Sequence, residues 1–189
     1  MPYRKLEFRA GEYYHLYNRG SSCQPIFHER ENYLYFLRQI RRYLPPTAIA
    51  MIAYCLMPNH YHFLVHLKSD DLSRLLQPVL VSYSKSFNRR YARVGPLFQG
   101  PFKAVHVDRN EYLLQLSRYI HLNPVTAGLV ASPQEWEYSS YQDYIGLRKG
   151  TVPQPEVVLS QFSSADGYRQ FVEGHAGAED AIIAHLMLE

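Results

Sequence analysis

"MPNHYHFLV", residues 57–65, sets two histidines one residue apart at the head of an otherwise apolar run. The "PN" pair reads as a turn, and "HYHFLVHL" (60–67) after it reads as a strand. The apolar run "TAIAMIAYCLM" (47–57) before the turn reads as the other arm of a hairpin. Residues two apart on a strand share a face, about 6.6 Å apart along the chain. His60 and His62 therefore project together, while Tyr61, Phe63 and Val65 take the opposite, core-facing side. Two imidazoles on one face either chelate a cation or simply occupy the wet side of a half-buried sheet.

Outward from the hairpin, "EYYHLYNRG" (12–20) is a strand rich in aromatics. "ERENYLYFLRQIRRYL" (29–44) carries apolar residues at helical spacing and stops at Pro45-Pro46. A second helix follows "SDD" and places Leu72, Leu75, Leu76, Val79, Leu80, Tyr83 and Phe87 on one stripe, with Pro78 expected to kink or restart it. "FKAVHV" (102–107) is a fourth strand. "DRNEYLLQLSRYIHL" (108–122) is a third helix; Asp108 and Glu111 have capping-box spacing, and Pro124 predicts an end near Asn123. The first six elements follow the ferredoxin-like split βαβ order: an α+β fold with a four-stranded antiparallel sheet, helices on one face, and the third helix as an addition.

Composition narrows the function classes. The net charge of +3 divides into 19 Lys/Arg against 11 Asp/Glu over residues 1–150, and one Arg against six acids over 151–189. A basic body suits a polyanionic partner, because Lys and Arg displace counterions from phosphates. It equally describes an ordinary solvated surface. The boundary predicts a domain over 1–150 and an acidic C-terminal extension over 151–189. No apolar stretch approaches the roughly 20 residues of a membrane span, and the N-terminus lacks the apolar centre of a signal peptide. Two cysteines, Cys23 and Cys55, are too few for a disulfide framework or structural zinc site, so a reducing cytoplasm is expected.

On the third helix, Tyr112, Gln115, Tyr119 and Asn123 lie within about 80° of one another, taking 3.6 residues per turn. That polar stripe faces either solvent or the histidines. Arg89, Arg90, Arg93 and Lys103 flank the loop "GPLFQGPF", whose Gln99, Phe98 and Phe102 offer an amide and two stacking rings. The arginines are candidates for phosphate contact, Arg19 is another, and the phenylalanines can stack on bases or belong to the core. Trp136, Tyr138 and Tyr141 read as core packing.

Together "YNRG", "MPNHYHFLV", "GPLFQGPFK", "YIHLNPV" and "WEYSSYQDYIG" resemble the single-tyrosine HUH transposases, and within them the REP-associated tyrosine transposases of bacteria. The resemblance covers about residues 10–146. It implies that His60 and His62 are metal ligands, Tyr119 the nucleophile and Asn123 the third ligand, where many relatives place a glutamine. Tyr112 is the rival nucleophile on the same face, but its i+4 residue is Leu116, which cannot bind metal. The implied activity is metal-dependent nicking and transfer of single-stranded DNA at palindromic hairpins through a 5′-phosphotyrosine. Mg²⁺ or Mn²⁺ is the expected cofactor, with Zn²⁺ as the further option. The expected partner is single-stranded or hairpin DNA, bound at Arg19, Arg89, Arg90, Arg93, Phe98, Gln99 and Lys103, and a monomer is expected over a dimer. A catalytically inactive hairpin-binding protein and an RNA-binding module on the same fold are the alternatives.

Overall fold

The computed structural model describes residues 6–174. Four strands, β1 (Tyr13–Arg19), β2 (Ile49–Met57), β3 (His60–Leu67) and β4 (Lys103–Val107), form one antiparallel sheet in the order β2-β3-β1-β4. The helices are α1 (Arg30–Tyr43), α2 (Leu72–Arg90), α3 (Asn110–Thr126), α4 (Tyr141–Tyr144), α5 (Glu156–Leu159) and α6 (Ala165–Glu173). The β2–β3 turn is the expected "PN" pair, and β3 sits centrally, paired to β2 on one side and β1 on the other.

Both faces of the sheet are buried. Tyr14, Leu16, Tyr61, Phe63 and Val65 pack with α1 and α2 in one core. Cys55, Met57, Leu64 and Val107 pack with Leu113, Leu116 and Ile120 of α3 in the other. The expectation of helices on one face thus holds for α1 and α2, and α3 builds a second layer opposite them. Two-sided cover explains why β2 reads as a continuous apolar run, with every residue buried. Its outer edge is closed by later chain: Leu56 N donates to Tyr138 O, Ser140 N to Tyr54 O and Gln154 N to Met51 O. Trp136 Nε1 donates to Leu56 O, and Tyr138 stacks on Tyr33 at 3.7 Å.

Three local expectations are corrected. α2 is one helix through Pro78, its seventh residue, and does not restart there. The Asp108/Glu111 capping box does not form; Arg109 is the N-cap and no side chain caps it. α3 does not stop at Asn123 but continues through the buried Pro124 to Thr126, where Gly128 at φ +68° turns the chain away. Burial of Asn123 and Pro124 against the rest of the fold outweighs the local bias of a residue before proline.

Packing continues across residue 150. Val152 belongs to the first core, and Val158, Tyr168 and Val172 belong to the second beside α3. The segment expected as an acidic extension is integral through α6. Residues 175–189, the rest of that expectation, lie outside the described residues.

Candidate active site

Strand alternation delivers His60 and His62 to one face, the one that α3 covers. His62 is fully buried, and the two imidazoles lie 5.0 Å apart, ring centre to ring centre. Tyr119, half-buried on α3, meets His62 edge-on at 5.4 Å. Asn123, one turn later and buried, is in polar contact with His60. Four residues from two elements, 57 or more positions apart in sequence, therefore converge.

Burial determines the electrostatics. It pushes His60 down to about 4, with the Asn123 amide pulling the other way. His62 is driven well below the usual imidazole value by burial first and then by the neighbouring His15 and His60. Both rings are neutral near pH 7 and keep a lone pair, the form that binds a cation. His60 Nδ1 donates to Asn59 Oδ1 at 2.6 Å, which leaves Nε2 as its lone-pair nitrogen. His62 Nδ1 meets His15 Nε2 at 2.9 Å. His62 Nε2 is buried with no hydrogen-bond partner among the described residues. An orphaned buried nitrogen is costly unless something binds it. The donor set of two imidazoles and an amide oxygen fits a divalent cation. Among the described residues no group of three or more His, Cys, Asp or Glu side chains forms a metal centre, so any cation here depends on the amide as well.

Tyr112 lies two turns before Tyr119, about 10 Å along the axis at 1.5 Å per residue. Its ring sits under the Arg109 guanidinium at 5.3 Å.

The residues expected to bind DNA divide into two groups. Arg19, Gln99 and Lys103 line a cleft of about 270 Å³ together with Tyr17, Asn18, Gly100 and Pro101. The cleft adjoins the histidines, because Arg19 pairs with His60 and Tyr17 with His62 in the β1–β3 register. Arg19 Nε donates to Gln99 Oε1, and the Lys103 ammonium stands over Tyr17 at 5.8 Å. Arg89, Arg90 and Arg93 belong to the end of α2 and the loop after it. Arg90 is paired at 2.7 Å with Glu29 beside α1, whose carboxyl it holds below the usual range. Arg93 lies over Phe87 at 5.7 Å, and Arg89 is exposed. Phe98 is withdrawn from the stacking set: it is buried in the first core against Tyr61 and Tyr83, pinned by the Gly20–Phe98 bridge. Phe102 is buried as well and stacks on Phe8.

Sequence reasoning missed His15, which touches His62, and Asn59, which orients His60. The signal for His15 was its place on the same face as Tyr17 and Arg19, but only the β1–β3 register sets it beside His62.

A ferredoxin-like sheet whose central strand presents paired histidines to a tyrosine-bearing helix defines the HUH type of fold. The family described as "Transposase IS200 like" matches residues 11–123, more than half of the chain, and the chain belongs to that family. Among solved structures it is similar to a REP-associated tyrosine transposase bound to a REP hairpin, at 16% identity and TM-score 0.63, covering 82% of this chain and 97% of that one. That likeness is one of fold. A putative transposase from Deinococcus radiodurans R1 aligns at 13% identity and TM-score 0.43 over 64% of this chain and 95% of that one. The tRNA(His) guanylyltransferase of Saccharomyces cerevisiae aligns at 8% and 0.46 over 96% and 80%. No curated protein matches the chain.

Proposed function

We propose that the protein nicks and rejoins single-stranded DNA beside palindromic hairpins, with Tyr119 as nucleophile. The observation that carries this reading is the convergence of Tyr119 and Asn123 on His60 and His62. Membership of the IS200-like family supports the reaction class, and the REP hairpin bound by the similar structure supports the hairpin target.

The Tyr119 oxygen attacks the scissile phosphorus. The bond from phosphorus to the 3′-oxygen breaks, the phenolic proton is lost and the departing 3′-oxygen gains one. The products are a 5′-phosphotyrosine and a free 3′-hydroxyl, and attack by another 3′-hydroxyl reverses the step. Because the phosphodiester energy is retained in the adduct, rejoining needs no further energy source. A divalent cation, Mg²⁺ or Mn²⁺, held by His60, His62 and Asn123 would polarise the phosphate and offset developing charge. Tyr119 is oriented by His62 and by the helix it stands on. Arg19, Gln99 and Lys103 hold the flanking strand in the adjoining cleft. The site is complete within one chain, in keeping with a monomer.

The test is a labelled hairpin with a single-stranded flank, incubated with Mn²⁺ and analysed by mass spectrometry after proteolysis. The nucleotide should be attached to Tyr119. Tyr119→Phe should bind DNA but neither cleave it nor form an adduct, since the nucleophile itself is gone. Tyr112→Phe should still form it. An adduct on Tyr112, or wild-type cleavage by Tyr119→Phe, refutes the assignment.

A further inference from the structure

The flank of α3 turned away from Tyr119 carries a buried polar chain. At 100° per residue, Ser117 and His121 lie about 160° to 200° around the helix from Tyr119. Both are fully buried, as are Ser140 and Tyr168, which reach them from beyond the family-matched segment. His121 Nε2 lies 2.8 Å from Ser140 Oγ, and His121 Nδ1 lies 2.7 Å from Tyr168 Oη. Tyr168 Oη lies 3.1 Å from Ser117 Oγ, and Ser117 Oγ donates to Leu114 O at 2.7 Å.

The Ser140 hydroxyl also lies 3.2 Å from Tyr54 O. It either donates to His121 Nε2, with Nδ1–H donating to Tyr168, or donates to Tyr54 O and accepts from His121 Nε2–H, with Tyr168 donating to Nδ1. In either neutral tautomer both ring nitrogens of His121 are paired, and Ser117 donates to the helix backbone. The far ends are rigid. Ser140 is bonded to both backbone groups of Tyr54 on β2, and Arg148 ties the same segment through Asp143, Glu137 O and Ser139 O. Tyr168 sits among Tyr144 at 4.7 Å and Phe162 at 5.2 Å, and Arg118 Nε donates to Val172 O of the same α6.

Leu113, Leu116 and Ile120 seat α3 on the sheet by apolar contact, which is non-directional and tolerates a roll about the helix axis. A fully satisfied hydrogen-bond chain does not tolerate it. The lever is long: a tyrosine oxygen stands about 9 Å from the axis, so a roll of about 10° moves it by about 1.6 Å, taking a 2.3 Å Cα radius. Displacements of about 1 Å can cost about 100-fold in rate.

We propose that Ser140 and Tyr168 are positioning residues that, through His121, fix the roll of α3 and thereby aim Tyr119 and Asn123 at His60 and His62. This rests on the catalytic reading above. The chain after Asn123 is then part of the catalytic apparatus, acting through α3 without touching DNA.

The experiment compares Tyr168→Phe and Ser140→Ala, each removing one oxygen, in full-length protein. Cleavage of the hairpin should show kcat lowered about 10- to 100-fold at unchanged KM, with unfolding still cooperative. Crystal structures of the variants should show the Tyr119 oxygen displaced from His62 by about 1 Å or more. Wild-type kcat together with an unmoved Tyr119 in both variants overturns the proposal. So does a loss shared between kcat and KM with Tyr119 unmoved, which signals general loosening. If the wild-type protein forms no adduct, the catalytic reading fails separately, and the crystallographic position of Tyr119 alone decides: displacement supports the positioning role and its absence overturns it.

Discussion

Replacing His15 by Phe isolates the support behind one candidate ligand. His15 is fully buried and stacks on His62 at 5.1 Å and 16°, with 2.9 Å between Nε2 and His62 Nδ1. Phe is close in size, suits a strand and keeps the stack, so the change removes the nitrogens and little else. A cation on His62 Nε2 requires the proton on Nδ1, and in the wild-type protein His15 accepts it. In His15→Phe that N–H is buried and unpaired in the cation-bound state. In the cation-free state either tautomer leaves an N–H of His62 unpaired, because Nε2 has no hydrogen-bond partner among the described residues. What His15 adds to binding is the tautomer it fixes and the basicity it lends to Nε2. Loss of an outer partner of a metal-bound histidine costs about 10–100-fold. Calorimetric titration of Mn²⁺ should place His15→Phe in that range, with His62→Ala as the reference for loss of the ligand itself. Hairpin binding without cation should be unchanged. Wild-type Mn²⁺ affinity in folded His15→Phe would refute the chain of reasoning from His15 through His62 to the cation.

Two further outcomes follow from the charge distribution and from burial. Arg19→Ala/Lys103→Ala should weaken binding of a single-stranded flank and flatten the plot of log affinity against log salt by about 1.4, at about 0.7 per phosphate contact. Arg90→Ala should leave that slope nearly unchanged, because Glu29 already neutralises Arg90; fluorescence anisotropy over a NaCl series reads both, and the reverse ranking would move the DNA to the α1–α2 layer. For stability, burial pushes His121 down to about 3, with the charge on Arg148 contributing in the same direction. The unfolded chain takes up this proton near about 6.5, so it binds more protons than the folded state between the two values. The contribution is intact above about pH 6.5 and is lost as pH falls toward about 3, at up to about 1.4 kcal/mol per pH unit. Denaturant unfolding at pH 7 and pH 5 should show a smaller drop for His121→Gln than for the wild type, and an equal drop would remove His121 from the account.

The features legible in the sequence are those with a local period. Alternation along residues 60–67 assigned His60 and His62 to one face and Tyr61 and Phe63 to the other, and the structure keeps that division. The i, i+4 spacing of Tyr119 and Asn123 likewise set them on one stripe of α3. What local pattern does not carry is the identity of the partner across space. Arg89, Arg90 and Arg93 look like one basic cluster, yet Arg90 is matched by Glu29, some 61 positions earlier. Phe98 sits in a loop of glycines and prolines that reads as exposed, but a bridge to Gly20 turns it into the core. His15 looks like one polar residue among aromatics until register places it on His62.

The same distinction explains why Pro124 signals an earlier end to α3 than the structure shows. Pro124 and the acidic composition after residue 150 are local signals. Asn123, Tyr168 and Val172 are held by contacts with other elements, which outweigh them. The family match ends at Asn123, the last of the converging side chains, so the matched segment contains all four residues of the proposed site. It does not contain Ser140 or Tyr168, which engage His121 on the opposite flank of the same helix. A tyrosine nucleophile and an amide ligand can be encoded within five residues. Holding them to within about 1 Å of a productive position against two histidines on β3 requires support from elsewhere in the fold, which we assign to Ser140 and Tyr168, beyond the motif.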